Sequence, residues 1–554
     1  MKTRWYKDSV FYQIYPRSFC DSNGDGIGDI KGIISKLDYL KSLGITAVWL
    51  SPCYKSPNDD NGYDISDYRD IMDEFGTLDD WKEMIEGMHK RGIKLVMDLV
   101  VNHTSDEHEW FKQSRSSIDN PYRDYYFWRK GSGKDGKKPP NNWTSRFGGS
   151  AWAYDEQTGE YYLHLFSKKQ PDLNWDNPKV RQEVVDICNY WFELGVDGFR
   201  CDVIIYISKQ EGLPNAKWNP FTCGDEYFVI GPHYHEYIHE INQKSWSKYD
   251  IMTVGEGQGI TVADAESMVA EPREELDAIF TFEHQEADAR MSVVPRKFKL
   301  SRFKKIMTSW QNIPNTCWNS LFLENHDYSR SIPRYIKPEF RKEGAKMLAV
   351  TMNFMKGTPY IFQGQEIGMT NIEHFKPKDY VDIVSKNVYK IAKKIFPLVP
   401  VVKWALQKRA RDHARTPMQW SAEENAGFTT GTPWMYVNPN YKEINVAEAE
   451  ADPDSVLNFY RKINKFRVGN KIIKDGTYNE FYAKSDKVFV YARELHGVSY
   501  LVAANWTHKV VEFDLPEQFK GKTSKLVMSN YFDSKEEAGD CNLMPYEAVV
   551  WEIK

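Results

Sequence analysis

Eight short apolar runs, rich in β-branched and aromatic residues, alternate with amphipathic segments and constrain the fold more than any other feature. The segment "LDDWKEMIEGMHKRG" between two of them predicts a helix that ends on Gly. Near-continuous apolar strands that alternate with helices predict a parallel sheet covered on both faces. Eight such units close a (β/α)8 TIM barrel, and a doubly wound open sheet is the alternative. The runs are 9–16, 47–52, 94–103, 196–203, 251–256, 276–282, 320–327 and 359–366.

Two breaks in this alternation predict additional domains. Residues 104–173 are rich in Gly, Pro and Asn and are too long for an ordinary βα loop, so we expect an inserted subdomain over the carboxyl ends of the strands. From about residue 481 the pattern becomes that of an antiparallel β-domain. The predicted organisation is a barrel in two parts (1–103 and 174–480), the insertion (104–173) and a C-terminal β-domain (481–554).

Composition narrows the class of protein. The net charge is −5 and no basic block stands out, which argues against nucleic acid or a membrane as a partner. The 7 Cys are scattered and contain no CxxC, so they predict neither a disulfide framework nor a zinc site. No apolar run reaches membrane-spanning length. We therefore expect a cytoplasmic protein, a monomer or weak homo-oligomer, with no organic cofactor.

Charged residues gather at the predicted carboxyl ends of the strands, which face the active-site mouth of a barrel. So many carboxylates without a zinc motif favour acid–base and nucleophilic chemistry. Each residue alone could equally be a helix cap or part of a loop salt bridge. The residues are Asp98, His103, Arg200, Asp202, Glu256, Glu283, His284, His326, Asp327 and Glu366.

Two of these carboxyl groups have different sequence surroundings. Arg200 and Asp202 stand two residues apart on one strand and so point to the same face. A nearby guanidinium lowers the pKa of a carboxyl group, which favours Asp202 as a nucleophile. Glu256 ends an apolar strand and is better placed to hold a proton. Cleavage of a glycosidic bond needs such a pair, one nucleophile and one acid.

Four motifs resemble the conserved segments of glycoside hydrolase family 13, the α-amylase family, in the order and on the strands expected: "LVVNH", "GFRCDV", "TVGE" and "LENHD". Further motifs are similar to the oligo-1,6-glucosidase and α-glucosidase branch: "DNGYDISDY" (60–68), "GLPN" (212–215), "FEH" (282–284) and "ARTPMQW" (414–420). The resemblance covers essentially the whole chain. It implies a retaining, exo-acting enzyme that releases glucose from small oligosaccharides.

The resemblance also implies a role for individual residues. Asp202 would be the nucleophile, Glu256 the acid/base, and Asp327 the group that binds the 2- and 3-hydroxyls and stabilises the transition state. The other predicted substrate-binding residues are His103 and His326 on the same sugar ring, the orienting Arg200, the clamp Asp64 and Arg415 at the 4- and 6-hydroxyls, the stacking Tyr63, the wall residues Phe147 and Phe166, Val203 beside the leaving-group subsite, and Arg330. Ordinary core packing is the alternative for the three aromatic residues.

The loop "DSNGDGIGD" (21–29) has the spacing of an EF-hand, but Gly32 stands where a bidentate Glu would be required. The resemblance implies instead one structural Ca²⁺ or Mg²⁺ ion, bound by five oxygen ligands. A polar turn without metal is the alternative. The implied ligands are Asp21, Asn23, Asp25, the carbonyl of Ile27, and Asp29.

Val203, the residue after the predicted nucleophile, bears on the linkage. Val at this position resembles the α-1,6-cleaving enzymes, and its stiff side chain could obstruct a 4-linked sugar. The chain departs from the family pattern at Cys201, His413 and Tyr328-Ser329, and "EGQG" (256–259) follows strand 5. These departures leave open an α-1,4 or broad preference, and action on trehalose 6-phosphate. Transglycosylation or sucrose isomerisation is a weaker alternative, because the Arg-rich loop expected of sucrose isomerases is missing after strand 6. A non-enzymatic scaffold would have lost the carboxylates.

Overall fold

A computed structural model describes residues 3–219, 222–290, 294–394 and 396–554. Over these ranges it confirms the (β/α)8 barrel and all eight predicted strands. The strands are β1 (Phe11–Ile14), β2 (Ala47–Leu50), β3 (Lys94–Leu99), β4 (Gly198–Cys201), β5 (Met252–Gly257), β6 (Ala278–Thr281), β7 (Ser320–Leu321) and β8 (Thr358–Phe362). Neighbouring strands pair in parallel, in the order β6-β5-β4-β3-β2-β1-β8-β7. A parallel bridge from Ile279 to Asn319 joins the two outer strands and closes the ring.

The helices surround the barrel with one apolar face inward. Helix α1 (Leu78–Lys90) starts on a capping box between Thr77 and Asp80, and it buries residues spaced three or four apart, such as Trp81 and Met88. Helix α2 (Pro178–Glu193) begins with Pro behind an Asn cap. The other helices of eight or more residues are Tyr234–Lys244, Val262–Val269, Leu300–Gln311, Arg341–Asn353, α3 (Ile383–Lys394), α4 (Val399–Arg409) and Val456–Arg467.

The insertion after β3 lies where the sequence predicts it and contains a small antiparallel sheet. Its strands are Trp128–Arg129, Trp152–Asp155 and Glu160–Leu163, with the last in the middle. A buried ion pair fastens it to the barrel, because Lys209 Nζ lies 2.8 Å from Asp172 Oδ2 and neither side chain is exposed. Lys209 also donates to Asn102 Oδ1 at 3.0 Å, next to His103. The insertion therefore bears directly on the barrel mouth.

The C-terminal part is an antiparallel β-domain, as predicted. The strands are β9 (Thr477–Phe481), β10 (Val488–Leu495), β11 (Val498–Asn505), β12 (Val511–Phe513), β13 (Ser524–Ser529), β14 (Cys541–Leu543) and β15 (Ala548–Ile553). Five of them pair in the order β9-β10-β11-β15-β13, and β12 pairs with β14. The first strand starts at Thr477, so the sheet includes residues ahead of 481. Across the described ranges, no helix is both long and apolar enough to cross a membrane.

The Lys209–Asp172 pair generates a stability prediction. Among the described residues, Asp172 is the carboxylate that lies within 4 Å of the buried ammonium. Asp172→Asn removes its charge, so we expect the free energy of unfolding to fall by about 3–5 kcal/mol. Urea denaturation followed by Trp fluorescence measures it. Glu107→Gln is the control, because its pair with Lys169 is exposed and 4.0 Å long, and it should cost less than about 1 kcal/mol. Equal losses in the two variants would contradict the prediction.

Candidate active site

Arg200 lies at the centre of the candidate site. It stands on β4 with its side chain inside the barrel, only 2% exposed. Nη1 donates to Asp98 Oδ1 at 2.9 Å and to Asp202 Oδ1 at 2.5 Å, and Nη2 donates to Glu256 Oε2 at 2.6 Å. Asp98 also accepts from Trp49 Nε1 at 3.0 Å. One buried cation thus joins carboxyl groups from three neighbouring strands.

The environments of Asp202 and Glu256 differ from the expectation. Burial raises the pKa of each to about 7, and Arg200 opposes the rise in both. The sequence predicted that Arg200 would lower the pKa of Asp202 alone, but its fork contacts both groups and cannot separate them. The negative charge of Asp202 raises the pKa of Glu256 further. Each of the two carboxyl groups can therefore be either protonated or ionised at neutral pH.

Asp327 follows β7 and has the opposite environment. Its carboxylate Oδ1 accepts from Arg411 Nη1 at 2.9 Å and from Arg415 Nη2 at 3.2 Å, and Oδ2 lies 3.3 Å from His326 Nε2. Burial disfavours its charge, but these basic neighbours hold its pKa well below the usual range. The site thus combines one permanently ionised carboxylate with a pair that titrates near neutrality.

Flat aromatic groups form one wall of the site. The rings of Tyr63 and His326 are stacked at 5.2 Å with an interplanar angle of 3°. Tyr63 Oη donates to Asp98 Oδ2 at 3.1 Å, and His103 Nε2 lies 3.0 Å from the Tyr63 carbonyl. Burial lowers the pKa of His103 to about 4 and that of His326 to about 3, so both rings are neutral. Tyr63 is only 6% exposed, and its ring packs against that of His326.

Phe147 and Phe166, the two predicted wall residues, pack against each other and against residues of the site. Phe166 packs 5.1 Å from the ring of His103, and the two Phe rings are 5.6 Å apart. The guanidinium of Arg411 lies 5.8 Å above Phe147. Both Phe side chains are partly exposed. They connect the insertion to the arginines beside Asp327.

Asp64 is placed differently from the clamp that the sequence predicted. Its oxygens accept from Ser56 Oγ and from the amides of Asp59 and Asp60, at 2.8–3.0 Å, so it organises its own loop. Asp60 faces the site instead, with Oδ1 3.6 Å from Arg411 Nη2. That oxygen is buried and has no hydrogen-bond partner among the described residues. Burial raises the pKa of Asp60 to about 7.

Arg415 does reach the site, but through partners that the sequence did not indicate. Nε donates to the His326 carbonyl at 2.9 Å, and Nη1 donates to Asp382 Oδ2 at 2.9 Å. Asp382 and Arg411 are therefore site residues that sequence reasoning missed. Arg411 stands four positions before Arg415 and could have been found in the same segment. Asp382 gave no motif signal.

Arg330 lies behind the site. It is fully buried, and Nη1 donates to Glu324 Oε2 at 3.0 Å and to the Gln363 carbonyl at 2.7 Å. These contacts tie the loop after β7 to β8, so they support the shape of the mouth. Tyr328, next to Asp327, packs against Phe282 with ring centroids 5.9 Å apart.

Val203 has a left-handed backbone, with φ of 36° and ψ of 34°. A β-branched residue rarely adopts this conformation, and such strain costs about 1–3 kcal/mol. Its amide donates to Glu256 Oε2 at 3.0 Å. Strand β4 ends at Cys201, so a preference for strands does not explain Val at this position. The strained turn instead directs an N–H group at the predicted acid/base.

The loop 21–29 uses its side chains to hold its own backbone. Asp21 Oδ1 accepts from the Gly24 amide at 2.8 Å, and Asp25 Oδ1 accepts from the Ile27 amide at 2.8 Å. Asp29 caps the following helix through the Gly32 amide. Over the described ranges, no group of three or more His, Cys, Asp or Glu side chains is gathered as a metal site. The donor set itself is all oxygen, which suits Ca²⁺ or Mg²⁺.

A buried pair of carboxyl groups at the mouth of a TIM barrel is the arrangement with which glycosidases cleave their substrates. The family model for the α-amylase catalytic domain matches residues 13–476, and that for the maltogenic amylase C-terminal domain matches residues 478–550. The chain therefore belongs to the α-amylase family.

Within this family, the chain is 54% identical to an oligo-1,6-glucosidase of Parageobacillus thermoglucosidasius, with 100% of both chains covered. The crystal structure of a trehalose-6-phosphate hydrolase from Bacillus licheniformis superimposes with a TM-score of 0.94 at 44% identity, covering 99% of each chain. That of an isomaltulose synthase from Klebsiella sp. LX3 gives 0.96 at 40% identity, covering 100% of each.

The raised pKa of Glu256 predicts a pH-dependent stability difference. The pKa of Glu256 is near 4.3 in the unfolded chain and about 7 in the native state, so the native state holds the proton more tightly. The stability of the native state therefore falls as the pH rises between these two values. Glu256→Gln has no proton to lose. We expect the free energy of unfolding of this variant, relative to wild type, to be about 2 kcal/mol higher at pH 8 than at pH 5. Urea denaturation at both pH values measures it, and an equal or reversed difference would refute it.

Proposed function

We propose that the chain is an exo-acting, retaining α-glucosidase that releases glucose from the non-reducing end of short α-1,6-linked glucosides such as isomaltose and panose. The observation that carries the proposal is the fork of Arg200, which holds Asp202 and Glu256 as one buried pair beside the ionised Asp327. A pair with one proton supplies a nucleophile and an acid in the same site. The family of the chain supports the same reaction class.

In the proposed mechanism, the proton of the pair resides on Glu256 and the negative charge on Asp202. Asp202 attacks the anomeric carbon while Glu256 protonates the leaving oxygen, so the glycosidic bond breaks and a glucosyl ester forms. Water then attacks the same carbon and Glu256 takes its proton, while the bond from that carbon to the Asp202 oxygen breaks, which releases glucose and restores the Asp202 carboxylate. Asp327 would accept hydrogen bonds from the 2- and 3-hydroxyls and stabilise the oxocarbenium-like charge between the two steps.

Action at chain ends is supported by the groups that surround the far side of the sugar. Asp60 Oδ1 and Arg411 lie 3.6 Å apart, and Arg415 lies next to them on Asp327. Charged groups with unused hydrogen-bonding capacity suit the 4- and 6-hydroxyls of a terminal glucose. In this proposal Asp60 takes the role that the sequence gave to Asp64, with Arg411 and Arg415 as its partners.

The α-1,6 preference rests on Val203 and on the oligo-1,6-glucosidase that is 54% identical to the chain. Val203 lies beside Glu256, where the leaving sugar departs. A second candidate, hydrolysis of trehalose 6-phosphate, is favoured by the 44% identical hydrolase structure. Both candidates use the same carboxyl pair and differ only in the leaving sugar.

Glucose release from isomaltose, panose, maltose, trehalose, sucrose and trehalose 6-phosphate, measured side by side, tests the proposal. We expect the highest kcat/KM on isomaltose and panose, and at least a 10³-fold loss in Asp202→Asn, since covalent catalysis needs the carboxylate. Proton NMR should show that α-glucose is released first. Release of β-glucose would refute retention, and faster cleavage of trehalose 6-phosphate would select the second candidate.

The linkage assignment has its own control in the same assay. Val203→Ala and Val203→Thr change the side chain next to the leaving sugar and keep the amide that faces Glu256. If Val203 selects the linkage, the ratio of maltose to isomaltose hydrolysis rises in both variants, by up to the 10–200-fold that small pocket changes allow. An unchanged ratio would remove Val203 from the specificity determinants.

We further propose that the loop 21–29 binds one structural Ca²⁺ or Mg²⁺ ion through Asp21, Asn23, Asp25, the carbonyl of Ile27, and Asp29. The all-oxygen donor set supports this, since both ions prefer oxygen ligands. The two positive charges of the ion would offset most of the negative charge of three carboxylates that stand within nine residues of one another. It would stabilise the loop, and no step of the reaction passes through it.

Removal and return of the ion test this site. We expect the Tm of the protein in EDTA to rise by several degrees when excess Ca²⁺ or Mg²⁺ is added, because an ion that binds only the native state stabilises it. Asp25→Asn, at an exposed ligand, should lose most of this response, and Asp119→Asn, an exposed residue of the insertion, should keep it. A Tm that is independent of both ions would refute the site.

For the setting of the enzyme, we propose the cytoplasm and a monomer or weak homo-oligomer. The seven cysteines are free thiols, and six of them are buried. Scattered free thiols in a stable domain suit a reducing compartment.

A further inference from the structure

Two aspartates and two arginines form a closed ring at the barrel mouth. Arg411 donates from Nη1 to Asp327 at 2.9 Å and lies 2.8 Å from Asp382 through Nη2. Arg415 lies 3.2 Å from Asp327 through Nη2 and 2.9 Å from Asp382 through Nη1. Each arginine therefore spans both aspartates, and each aspartate receives both arginines. We call this set (Asp327, Asp382, Arg411 and Arg415) the mouth ring.

Asp382 is the buried member of the mouth ring. Its side chain is 0% exposed, whereas that of Asp327 is 23% exposed. The two oxygens of Asp382 have different partners. Oδ1 accepts from the amides of Val384 and Ser385 at the start of α3, and Oδ2 faces both arginines. The backbone of α3 thus fixes the point at which the two guanidinium groups meet.

The charge balance explains why a second carboxylate is needed there. Without Asp382, the two guanidinium groups would face Asp327 together with Asp60, whose Oδ1 lies 3.6 Å from Arg411 Nη2. Both would be drawn fully onto Asp327, and its oxygens would be occupied before a sugar arrives. Among the described residues, the two arginines donate their hydrogen bonds to Asp327 Oδ1, whereas Oδ2 accepts none of them and lies 3.3 Å from His326 Nε2. Asp382 balances the charge from the side away from the sugar.

We propose that Asp382 is a positioning residue, which holds Arg411 and Arg415 so that Asp327 keeps one oxygen for the sugar hydroxyls and the arginines keep their orientation toward a terminal glucose. The inference rests on the proposed function, because it concerns the same sugar site. It also connects helix α3 to the reaction, although Asp382 itself touches neither of the two reacting carboxyl groups.

Asp382→Asn tests the proposal, with Ser385→Ala as the matched control. Ser385 anchors the same segment through Asp412 Oδ2 at 2.7 Å but does not contact either arginine. We expect Asp382→Asn to lower kcat/KM on isomaltose by about 100-fold, with kcat reduced as well as KM raised. Ser385→Ala should stay within about threefold of wild type. Equal losses in the two variants would overturn the proposal, because they would indicate a merely structural role.

A double-mutant cycle separates positioning from folding. If Asp382 acts through Arg411, the loss in Asp382→Asn/Arg411→Gln is clearly smaller than the sum of the two single losses. Additive losses would contradict that route. Should Asp382→Asn not fold, Arg411→Lys takes its place, because one ammonium cannot span two aspartates as the guanidinium does. That variant is expected to lose activity with Asp382 intact, and full activity would overturn the proposal.

Binding distinguishes this inference from the proposed function. Calorimetry with deoxynojirimycin, a glucose-shaped iminosugar, reports on the sugar site without turnover. We expect Asp382→Asn to bind it at least about tenfold more weakly than wild type and Ser385→Ala to bind it equally well. A wild-type protein that binds the iminosugar but cleaves no glucoside refutes the function alone. Equal binding by Asp382→Asn refutes the positioning role alone.

Discussion

The structure depends on one buried cation, the guanidinium of Arg200. Parallel pairing places Asp98 directly beside Arg200, and Val254, two residues before Glu256, on its other side. The parallel pairing of the neighbouring strands β3, β4 and β5 in this register brings three carboxyl groups to one arginine. A buried charge of this kind is costly unless every partner is in place. The strand order, the register and the site are therefore one constraint, which explains why the charges stand within otherwise apolar strands.

Most of the fold and part of the site could be predicted because their signals are local. The eight strands follow from apolar periodicity, and Asp202 and Glu256 follow from their positions at strand ends. The error about Arg200 has a different origin. Sequence spacing shows that Arg200 neighbours Asp202, but another of its hydrogen bonds reaches Glu256, 56 positions away. No local pattern reports that the same guanidinium serves both groups.

Two of the residues that sequence reasoning missed, Asp60 and Asp382, reach the site because of the way the chain folds back on itself. Asp60 and Asp64 stand in one motif, and which of them faces the site depends on how the loop folds upon itself. Asp64 turns to the loop amides, and Asp60 is left beside Arg411. Asp382 meets its arginines only because α3 and the segment after α4 return to the same edge of the barrel. A carboxylate in an ordinary helix cap and one in a sugar site look alike in sequence.

The site contains two charge systems of different kinds, on two sides of the space for the sugar. Around Arg200, carboxyl groups outnumber the cation, so burial raises their pKa values and a proton is retained. In the mouth ring, two arginines match two aspartates, and Asp327 remains ionised. Proton transfer needs the first arrangement, and stabilisation of a developing positive charge needs the second. The division of labour among the carboxyl groups therefore follows from the number of arginines beside each, more than from the identity of any single residue.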